Sequence, residues 1–255
     1  MSEPDPTPVR DAATVVLLRD GSDGLEAWLL TRVSEMVFAA GMTVFPGGRV
    51  DDADASLPFA TDACAAIAAR FDCDETLARA LVGAAVRETF EETGVLLTVP
   101  AASLAQARAD VEAGVTSFGA LLREHDLAVD VDSVHPWGRW VTPPNEVRRY
   151  DTRFFVAALP SDAEALDVTS ESSVASWVRV QDAIDQARRG ERPMLPPTMF
   201  TLTSLAPYAK VADVLAAADA RVLDAVHPSL RFVGDDIIAE LPDGTSVRLP
   251  RPPRR

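Results

Sequence analysis

The sequence contains few cysteines and histidines, and this scarcity disfavours two classes of site. Among 255 residues there are only two cysteines, Cys64 and Cys73, and three histidines, which are scattered at positions 125, 135 and 227. Two cysteines are too few for a disulfide framework and their spacing matches no zinc motif, so both are expected to be buried or half-buried apolar side chains. The dispersed histidines do not predict a metal cluster or a Cys/His nucleophilic pair.

Positive charge and long apolar runs are also scarce. The chain has 24 Lys and Arg residues against 39 Asp and Glu residues, which gives a formal net charge of -15. Such a surface repels a nucleic-acid backbone, so no nucleic-acid partner is expected. No segment approaches about 18 uncharged apolar residues, so no membrane span is expected. Residues 1–11 are rich in Pro and Asp and lack the apolar core of a signal peptide, which predicts a flexible N-terminus.

The rest of the composition is that of one large globular domain. Apolar residues make up 47% of the chain and charged residues 25%, and a chain of this length can bury a large core. Strand and helix patterns are interleaved without regular βαβ alternation, which predicts an α/β fold with a mixed sheet flanked by helices. Strands are predicted at 12–21, 26–34, 42–50, 137–143, 152–160 and 176–181 and in a C-terminal hairpin turning at Asp243–Gly244, and helices at 75–93, 102–112, 117–125, 182–190 and 210–220.

The stretch VRETFEETGV, residues 86–95, carries the strongest functional signal. It ends a helix predicted to begin after Asp74 as N-cap and to stop at Gly94. At 100° per residue its apolar and acidic residues fall on opposite faces, with Val82, Val86 and Phe90 on one and Glu88, Glu91 and Glu92 on the other.

The three glutamates stand at an unfavourable place in this helix. Its last two turns hold the negative end of the helix dipole, and carboxylates three and four residues apart repel one another, each effect costing about a few tenths of a kcal/mol. An ordinary solvated acidic face is one interpretation. A metal site is the other, because Mg²⁺ and Mn²⁺ prefer oxygen ligands and would remove both penalties. The turn at Gly47–Gly48 supports a metal site, since glycines let backbone carbonyls approach an ion closely.

Together these residues resemble the Nudix hydrolases, whose pattern is G-x5-E-x7-R-E-U-x-E-E-x-G-U with U apolar. The matching residues are Gly48, Arg87, Glu88, Glu91, Glu92, Gly94 and Val95. Asp54 stands at the position of the family's loop glutamate, which usually forms an ion pair with the helix arginine, and Thr89 replaces an apolar residue. Between Asp54 and Arg87 lie 32 residues, 55–86, where the pattern has 7, so the chain carries an insertion of 25 residues at about 55–79.

A second stretch, residues 29–48, is similar to the signature of the coenzyme A diphosphatase branch, part of which tolerates an insertion at this place. The matches are Leu29, Leu30, Thr31, Ser34, Gly41, Phe45, Pro46, Gly47 and Gly48. Val33 and Phe38 replace the two arginines of that signature, which would be partners for the substrate phosphates. The candidate substrate-binding residues are therefore Arg32, Arg148 and Arg149.

The resemblance implies an α/β/α sandwich over 12–207 with a helical insert, followed at 208–255 by a helix and hairpin appendage with a basic tail. It implies hydrolysis of a diphosphate linkage with Mg²⁺ or Mn²⁺ as cofactor, with coenzyme A or acyl-coenzyme A as the first substrate, giving 3′,5′-ADP and (acyl-)4′-phosphopantetheine. The implied metal ligands are the carbonyl of Gly47 and the carboxylates of Glu88, Glu91 and Glu92, with Arg87 steadying Glu91.

The catalytic base is drawn from different places within the family. Glu171 precedes a strand tryptophan, where several relatives place a loop carboxylate, and is the first candidate; Glu146 is the second. A solvated loop acid is the alternative for either. Trp137, Trp140 and Trp177 are expected to pack in the core rather than stack on a base.

Two other functions stay open. The chain could hydrolyse another nucleoside diphosphate derivative, such as ADP-ribose or NADH, with the same metal helix, or it could bind a nucleotide as a sensor without cleaving it. Homodimers are common in the family that the chain resembles, but the sequence itself does not indicate whether this chain forms one. A cytoplasmic location is expected because no peroxisomal tripeptide ends the sequence, and the use of Arg almost to the exclusion of Lys suggests a GC-rich bacterial genome.

Overall fold

The computed structural model describes residues 8–32, 41–144, 146, 148–166, 172–233, 236–240 and 246–249. The strands are β1 (Val9–Gly21), β2 (Gly24–Arg32), β3 (Thr43–Val44), β4 (Gly47–Arg49), β5 (Thr98–Val99), β6 (Ala128–Val129), β7 (His135–Val141), β8 (Arg149–Ala158), β9 (Ser172–Arg179), β10 (Ala225–Val226), β11 (Ser229–Val233), β12 (Asp236–Glu240) and β13 (Ser246–Leu249). The α-helices are α1 (Cys64–Phe71), α2 (Glu75–Thr93), α3 (Arg108–Glu112), α4 (Phe118–Glu124), α5 (Val180–Arg188), α6 (Pro196–Leu205) and α7 (Val211–Ala218), and short 3₁₀ helices lie at Asp54–Ser56, Ala105–Ala107 and Val131–Ser133.

One mixed sheet of eight strands forms the centre of the molecule. Its order is β10-β7-β8-β1-β2-β3, with β4 also paired to β1 and β9 to β2. β1 runs parallel to β8 and antiparallel to β2. The prediction of a mixed sheet is confirmed.

The segment 43–49 fills an opening between β1 and β2. These two strands pair only next to their turn, from Leu18 with Ala27 to Gly21 with Gly24. Farther from the turn, β3 pairs with β2 and β4 pairs with β1. The sequence predicted a single strand over 42–50, but Pro46, which has no N–H to donate, separates the two short strands.

Helices cover both faces of the sheet. Successive side chains along a strand point to opposite faces, so apolar residues of the same strand pack into two separate cores. Val15 and Leu17 of β1 pack into a core with α1, α2 and α4, while Val16 and Leu18 pack into a second core with α5, α6 and α7. Trp137 and Trp140 are buried in the second core, as predicted. Trp177 is half-buried and packs edge to face on Trp28, with ring centroids 5.3 Å apart.

The predicted carboxylate helix is α2, with the expected ends. The Asp74 side chain accepts a hydrogen bond from the N–H of Leu77 at 2.8 Å, and Gly94 closes the helix with a φ of 74°. The apolar stripe Val82, Val86 and Phe90 is fully buried. The predicted helix 102–112 instead begins with the 3₁₀ turn Ala105–Ala107 and becomes α-helical only at α3.

The segments outside the predicted catalytic motif also make contacts with the main fold. Within the insertion, α1 packs on α2 through Ile67 and Phe71 in the first core. Near the C-terminus, α7 contributes Val214 to the second core and β10 pairs with β7. The predicted C-terminal hairpin is one part of a three-stranded sheet, β11-β12-β13, and its predicted turn at 243–244 lies outside the described residues. Among the described helices, none has the length and apolar character needed to cross a lipid bilayer.

Candidate active site

Arg87 is the centre of the candidate site. Its Nη1 lies 2.7 Å from Glu88 Oε1 and 3.4 Å from Glu91 Oε2, and its Nη2 donates to the carbonyl of Arg49 at 3.0 Å. The guanidinium is only 12% exposed. One buried cation therefore holds two of the three predicted glutamates and ties α2 to β4.

Asp54 makes the most complete contact with Arg87. Its Oδ1 lies 2.8 Å from Arg87 Nε and its Oδ2 lies 3.0 Å from Arg87 Nη2, a bidentate pair. Asp54 is 1% exposed, and its Oδ2 also accepts the N–H of Asp51 at 2.8 Å. The aspartate thus pairs with the helix arginine although it is one methylene shorter than the family's glutamate.

Glu88 and Glu92 lie against the Gly47–Gly48 turn. Glu92 Oε2 accepts the backbone N–H of Gly47 at 2.9 Å, and Glu92 is 8% exposed. A Cβ on Gly48 would lie 2.4 Å from Glu88 Oε1, so this carboxylate rests directly on the glycine. The carboxylates of Glu88 and Glu92 therefore lie directly against the glycine turn. The predicted role of the Gly47 carbonyl as a metal ligand stays a prediction.

The charges at the site are unbalanced. Arg87 faces Asp54, Glu88 and Glu91 within 4 Å. The pKa of Glu91 is raised to about 7, because burial disfavours its charged form and Glu88 and Asp54 add negative charge, while Arg87 opposes the rise. Burial acts to lower the pKa of Arg87, but its hydrogen bond to Asp54 and the surrounding carboxylates raise it above its usual range. The acidic face is thus not an ordinary solvated surface, because its carboxylates are largely buried and share one arginine.

The last turn of α2 is fixed by residues that the sequence motifs did not indicate. Arg108, which is 7% exposed, donates from Nη1 to the carbonyl of Glu91 at 2.8 Å, and the N–H of Leu166 donates to the carbonyl of Thr93 at 2.9 Å. These donors satisfy carbonyls that have no partner within the helix. A helix of mixed composition such as α3 gives no signal that its arginine turns inward.

Thr89, which departs from the apolar pattern, is fully buried without leaving its hydroxyl unpaired. Its Oγ1 donates to the carbonyl of Ala85 at 2.7 Å, four residues earlier in the same helix. This bond removes the main cost of burying a hydroxyl, so the substitution is compatible with the motif.

Two of the three predicted substrate arginines have side chains in the described part of the chain. Arg148 is exposed, and Arg149 donates from Nε to the carbonyl of Thr142 at 3.3 Å. The side chain of Arg32 and the whole of Glu171 lie outside the described part of the chain, so their predicted roles stay predictions. Glu146, the second candidate base, is exposed.

The cysteines have the predicted structural character. Cys64 is buried, Cys73 is half-buried, and both are free. Burial raises the pKa of both thiols, which suppresses the reactive thiolate at neutral pH.

The donor types at the cluster fit a divalent cation, although their arrangement is not that of a preformed metal site. Over the described ranges, no three carboxylate, histidine or cysteine side chains are grouped so that they could hold one ion. In their present positions Glu88 and Glu91 contact Arg87, and Glu92 contacts the N–H of Gly47. A cation at these oxygens would have to compete with those contacts.

Comparison with known proteins identifies several relatives. Residues 58–205 match the family described as the NUDT19 Nudix domain. A protein of Caenorhabditis elegans named putative nudix hydrolase 7 is 30% identical over 200 residues, which cover 77% of this chain; the match spans 60% of that nematode protein. Proteins of Gallus gallus and Homo sapiens named acyl-coenzyme A diphosphatase NUDT19 are each 26% identical over 94% of this chain, and the matches cover 82% and 80% of their lengths.

One solved structure is similar in both sequence and fold. The crystal structure of a Nudix hydrolase from Alicyclobacillus acidocaldarius superposes with a TM-score of 0.70 and 28% identity. The match covers 82% of this chain and 96% of the other. The likeness therefore extends over most of the chain.

Proposed function

The chain belongs to the Nudix hydrolase family, in the group described as the NUDT19 Nudix domain, and from this premise we propose that it is a metal-dependent hydrolase of a diphosphate linkage. The resemblance stated from the sequence and the expected α/β/α sandwich are both confirmed. The reaction, its metal and its substrate are the proposal.

The observation that carries the proposal is the crowding of Glu88, Glu91 and Glu92 around a single arginine. Of these three carboxylates Arg87 contacts two, and it is already paired with Asp54. A divalent cation would reduce the repulsion among these carboxylates. It would also neutralise charge that develops on the diphosphate and lower the pKa of a bound water.

The residues take separate roles in this proposal. Glu88 and Glu92, one helical turn apart, are the main metal ligands, with Glu91 and the carbonyl of Gly47 completing the set. Arg87 steadies Glu91. The proton of the attacking water goes to a carboxylate from a loop, for which Glu171 is the first candidate.

Coenzyme A or acyl-coenzyme A is the substrate that we propose first. Support comes from the relatives named acyl-coenzyme A diphosphatase and from the partial signature over 29–48. The products would be 3′,5′-ADP and (acyl-)4′-phosphopantetheine. A specific observation favours a second candidate, ADP-ribose or NADH: Val33 and Phe38 replace the two arginines of the coenzyme A signature, which would be partners for the phosphates of coenzyme A.

The test is a hydrolysis screen in Mg²⁺ or Mn²⁺ over coenzyme A, an acyl-coenzyme A, ADP-ribose and NADH. Products are identified by chromatography. Glu92→Gln is the variant of the candidate site, and Glu124→Gln, on the surface, is its matched control. We expect 3′,5′-ADP from coenzyme A with wild type and Glu124→Gln but not with Glu92→Gln. If ADP-ribose or NADH is hydrolysed faster, the proposed reaction stands and the proposed substrate is replaced. Nucleotide binding without turnover of any substrate would replace the proposal by a sensor.

A further inference from the structure

The face of α2 that meets the start of the insertion carries Arg79, Gly83 and Arg87, spaced four residues apart. Residues at this spacing lie on one stripe of a helix. Each of the three contacts the segment that follows β4. The chain therefore follows this stripe of α2 as it runs from the candidate site into the insertion.

The contacts on the stripe follow the order of the chain. The carboxylate of Asp54 pairs with Arg87, and the carbonyl of the next residue, Ala55, accepts Arg79 Nε at 3.5 Å. Farther along, Phe59 lies against the Arg79 guanidinium, 4.1 Å from its carbon to the ring centroid. Arginines at both ends thus fix the first residues of the insertion to the helix.

Gly83, between the two arginines, is where the backbone of the segment touches α2. A Cβ at this position would lie 2.4 Å from the carbonyl oxygen of Asp54 and 2.9 Å from its carbonyl carbon. Ordinary contacts begin near 3.4 Å, so any larger residue would displace the segment by about 1 Å. Glycine is unfavourable inside a helix, which means that its presence in the middle of α2 needs a compensating contact.

That displacement is close to the difference in reach between aspartate and glutamate. One additional methylene lengthens a side chain by about 1.5 Å. We propose that Gly83 is a positioning residue: it lets the backbone at Asp54 approach α2 closely enough for an aspartate to hold Arg87 as the family's glutamate does. Gly83 and Asp54 therefore form a compensating pair, which also sets where the 25-residue insertion begins.

This inference rests on the proposed function for its kinetic meaning, since Arg87 in turn orients Glu91. The experiment compares Gly83→Ala, Asp54→Glu and the double variant, with Gly138→Ala as the matched control because a Cβ at Gly138 meets nothing within 4 Å. Three quantities are measured: kcat and KM with the substrate found in the screen, Mn²⁺ affinity by calorimetry, and the melting temperature in EDTA.

We expect Gly83→Ala to lower kcat by about 10²-fold, as a displacement of about 1 Å in catalytic geometry can do, with KM little changed. Mn²⁺ affinity should fall in the same variant. Asp54→Glu alone should also lower kcat, because the longer side chain is too long for the wild-type spacing. In the double variant kcat, Mn²⁺ affinity and melting temperature should recover towards wild type, whereas Gly138→Ala should change none of them.

Additive losses in the double variant would overturn the inference, because two independent packing defects do not rescue each other. If Gly83→Ala lowers the melting temperature and the added Asp54→Glu does not restore it, Gly83 serves packing alone and does not position Asp54. If no substrate is turned over, the proposed function fails, but the melting temperatures of the four variants still decide whether Gly83 and Asp54 compensate.

Discussion

Two regions of the molecule use arginine in opposite ways. At the end of α2, Arg87 is surrounded by carboxylates and its charge is exceeded by theirs. Where α1 meets residues 221–225, Arg70 and Arg221 donate to backbone carbonyls, and no carboxylate of the described chain lies within 4 Å of either. In the first region several carboxylates surround one guanidinium, whereas in the second region the guanidinium groups donate to backbone carbonyls, although the arginines of both regions are half-buried.

The second region connects the insertion to the C-terminal part of the chain. Arg70 donates to the carbonyls of Ala218 and Arg221 at 2.6 and 3.2 Å. Arg221 in turn donates to the carbonyl of Trp137 and stacks over its ring. A cavity of about 360 Å³ lies beside them and is also lined by Arg139.

The comparison separates a structural use of arginine from a functional one. Backbone carbonyls accept hydrogen bonds from Arg70 and Arg221. Burial lowers the pKa of both guanidinium groups, and this shift is opposed by Asp219 at Arg70 and by Tyr208 at Arg221. Around Arg87 the half-buried carboxylates of Glu88 and Glu91 repel one another, and an added cation would relieve this repulsion. Changes at the first region should therefore affect turnover, and changes at the second should affect stability alone.

The largest effect is expected for Glu92→Gln, in the first of these regions. Loss of a metal-ligand charge should lower kcat by roughly 10²–10³-fold, because the bound cation contributes several kcal/mol of transition-state stabilisation. The melting temperature in EDTA should change little. Steady-state kinetics beside Glu124→Gln, a matched change on an exposed residue, provides the check; equal rates in the two variants would exclude Glu92 as a ligand.

Asp54→Asn should give the next largest effect. Removing one charge of a buried bidentate pair leaves the Arg87 guanidinium without its best partner, a change that costs about 3 kcal/mol of the free energy of unfolding. Urea denaturation at pH 7 in EDTA measures it. A loss no larger than that of Asp51→Asn, whose Oδ2 lies 3.9 Å from Arg87 Nη2, would show that the pair is not central.

The raised pKa of Glu91 predicts an unusual pH dependence. Because the folded-state pKa is about 7 against an ordinary value of 4.5, the folded protein retains a proton that the unfolded chain has lost. The free energy of unfolding of the metal-free protein should therefore fall as pH rises from about 4.5 to 7, by at most about 3 kcal/mol.

Glu91→Gln is the matched variant for this pH dependence. The uncharged amide should flatten the decline and leave the metal-free protein more stable than wild type at pH 8. Thermal denaturation between pH 5 and 8 in EDTA tests this. Parallel pH profiles for the two proteins would mean that Glu91 titrates in its ordinary range.

The smallest effect is expected for Arg70→Gln, in the second region. Loss of hydrogen bonds to two carbonyls should cost about 1 kcal/mol of stability. Turnover and Mn²⁺ affinity should equal those of wild type. If Arg70→Gln lowers kcat at temperatures where the variant is fully folded, the insertion affects the site through contacts other than those of Arg79, Gly83 and Arg87.

Several features of this protein could be predicted from the sequence because they depend on neighbouring residues. The N-cap at Asp74, the end at Gly94 and the buried stripe of α2 follow from helical periodicity and capping. The same periodicity brings Glu88, Glu91 and Glu92 together at one helix end. Family membership followed from that cluster and the glycine turn.

Contacts between distant segments were decided by the tertiary structure. Asp54 and Arg87 are 33 positions apart, and whether the shorter acid reaches the arginine depends on how closely two backbones pack at Gly83. The division of 42–50 into β3 and β4 likewise depends on the opening between β1 and β2, and the inward turn of Arg108 on the position of α3. Local propensity specifies where a helix begins and which face is apolar; the distance between two segments is set by every side chain packed between them.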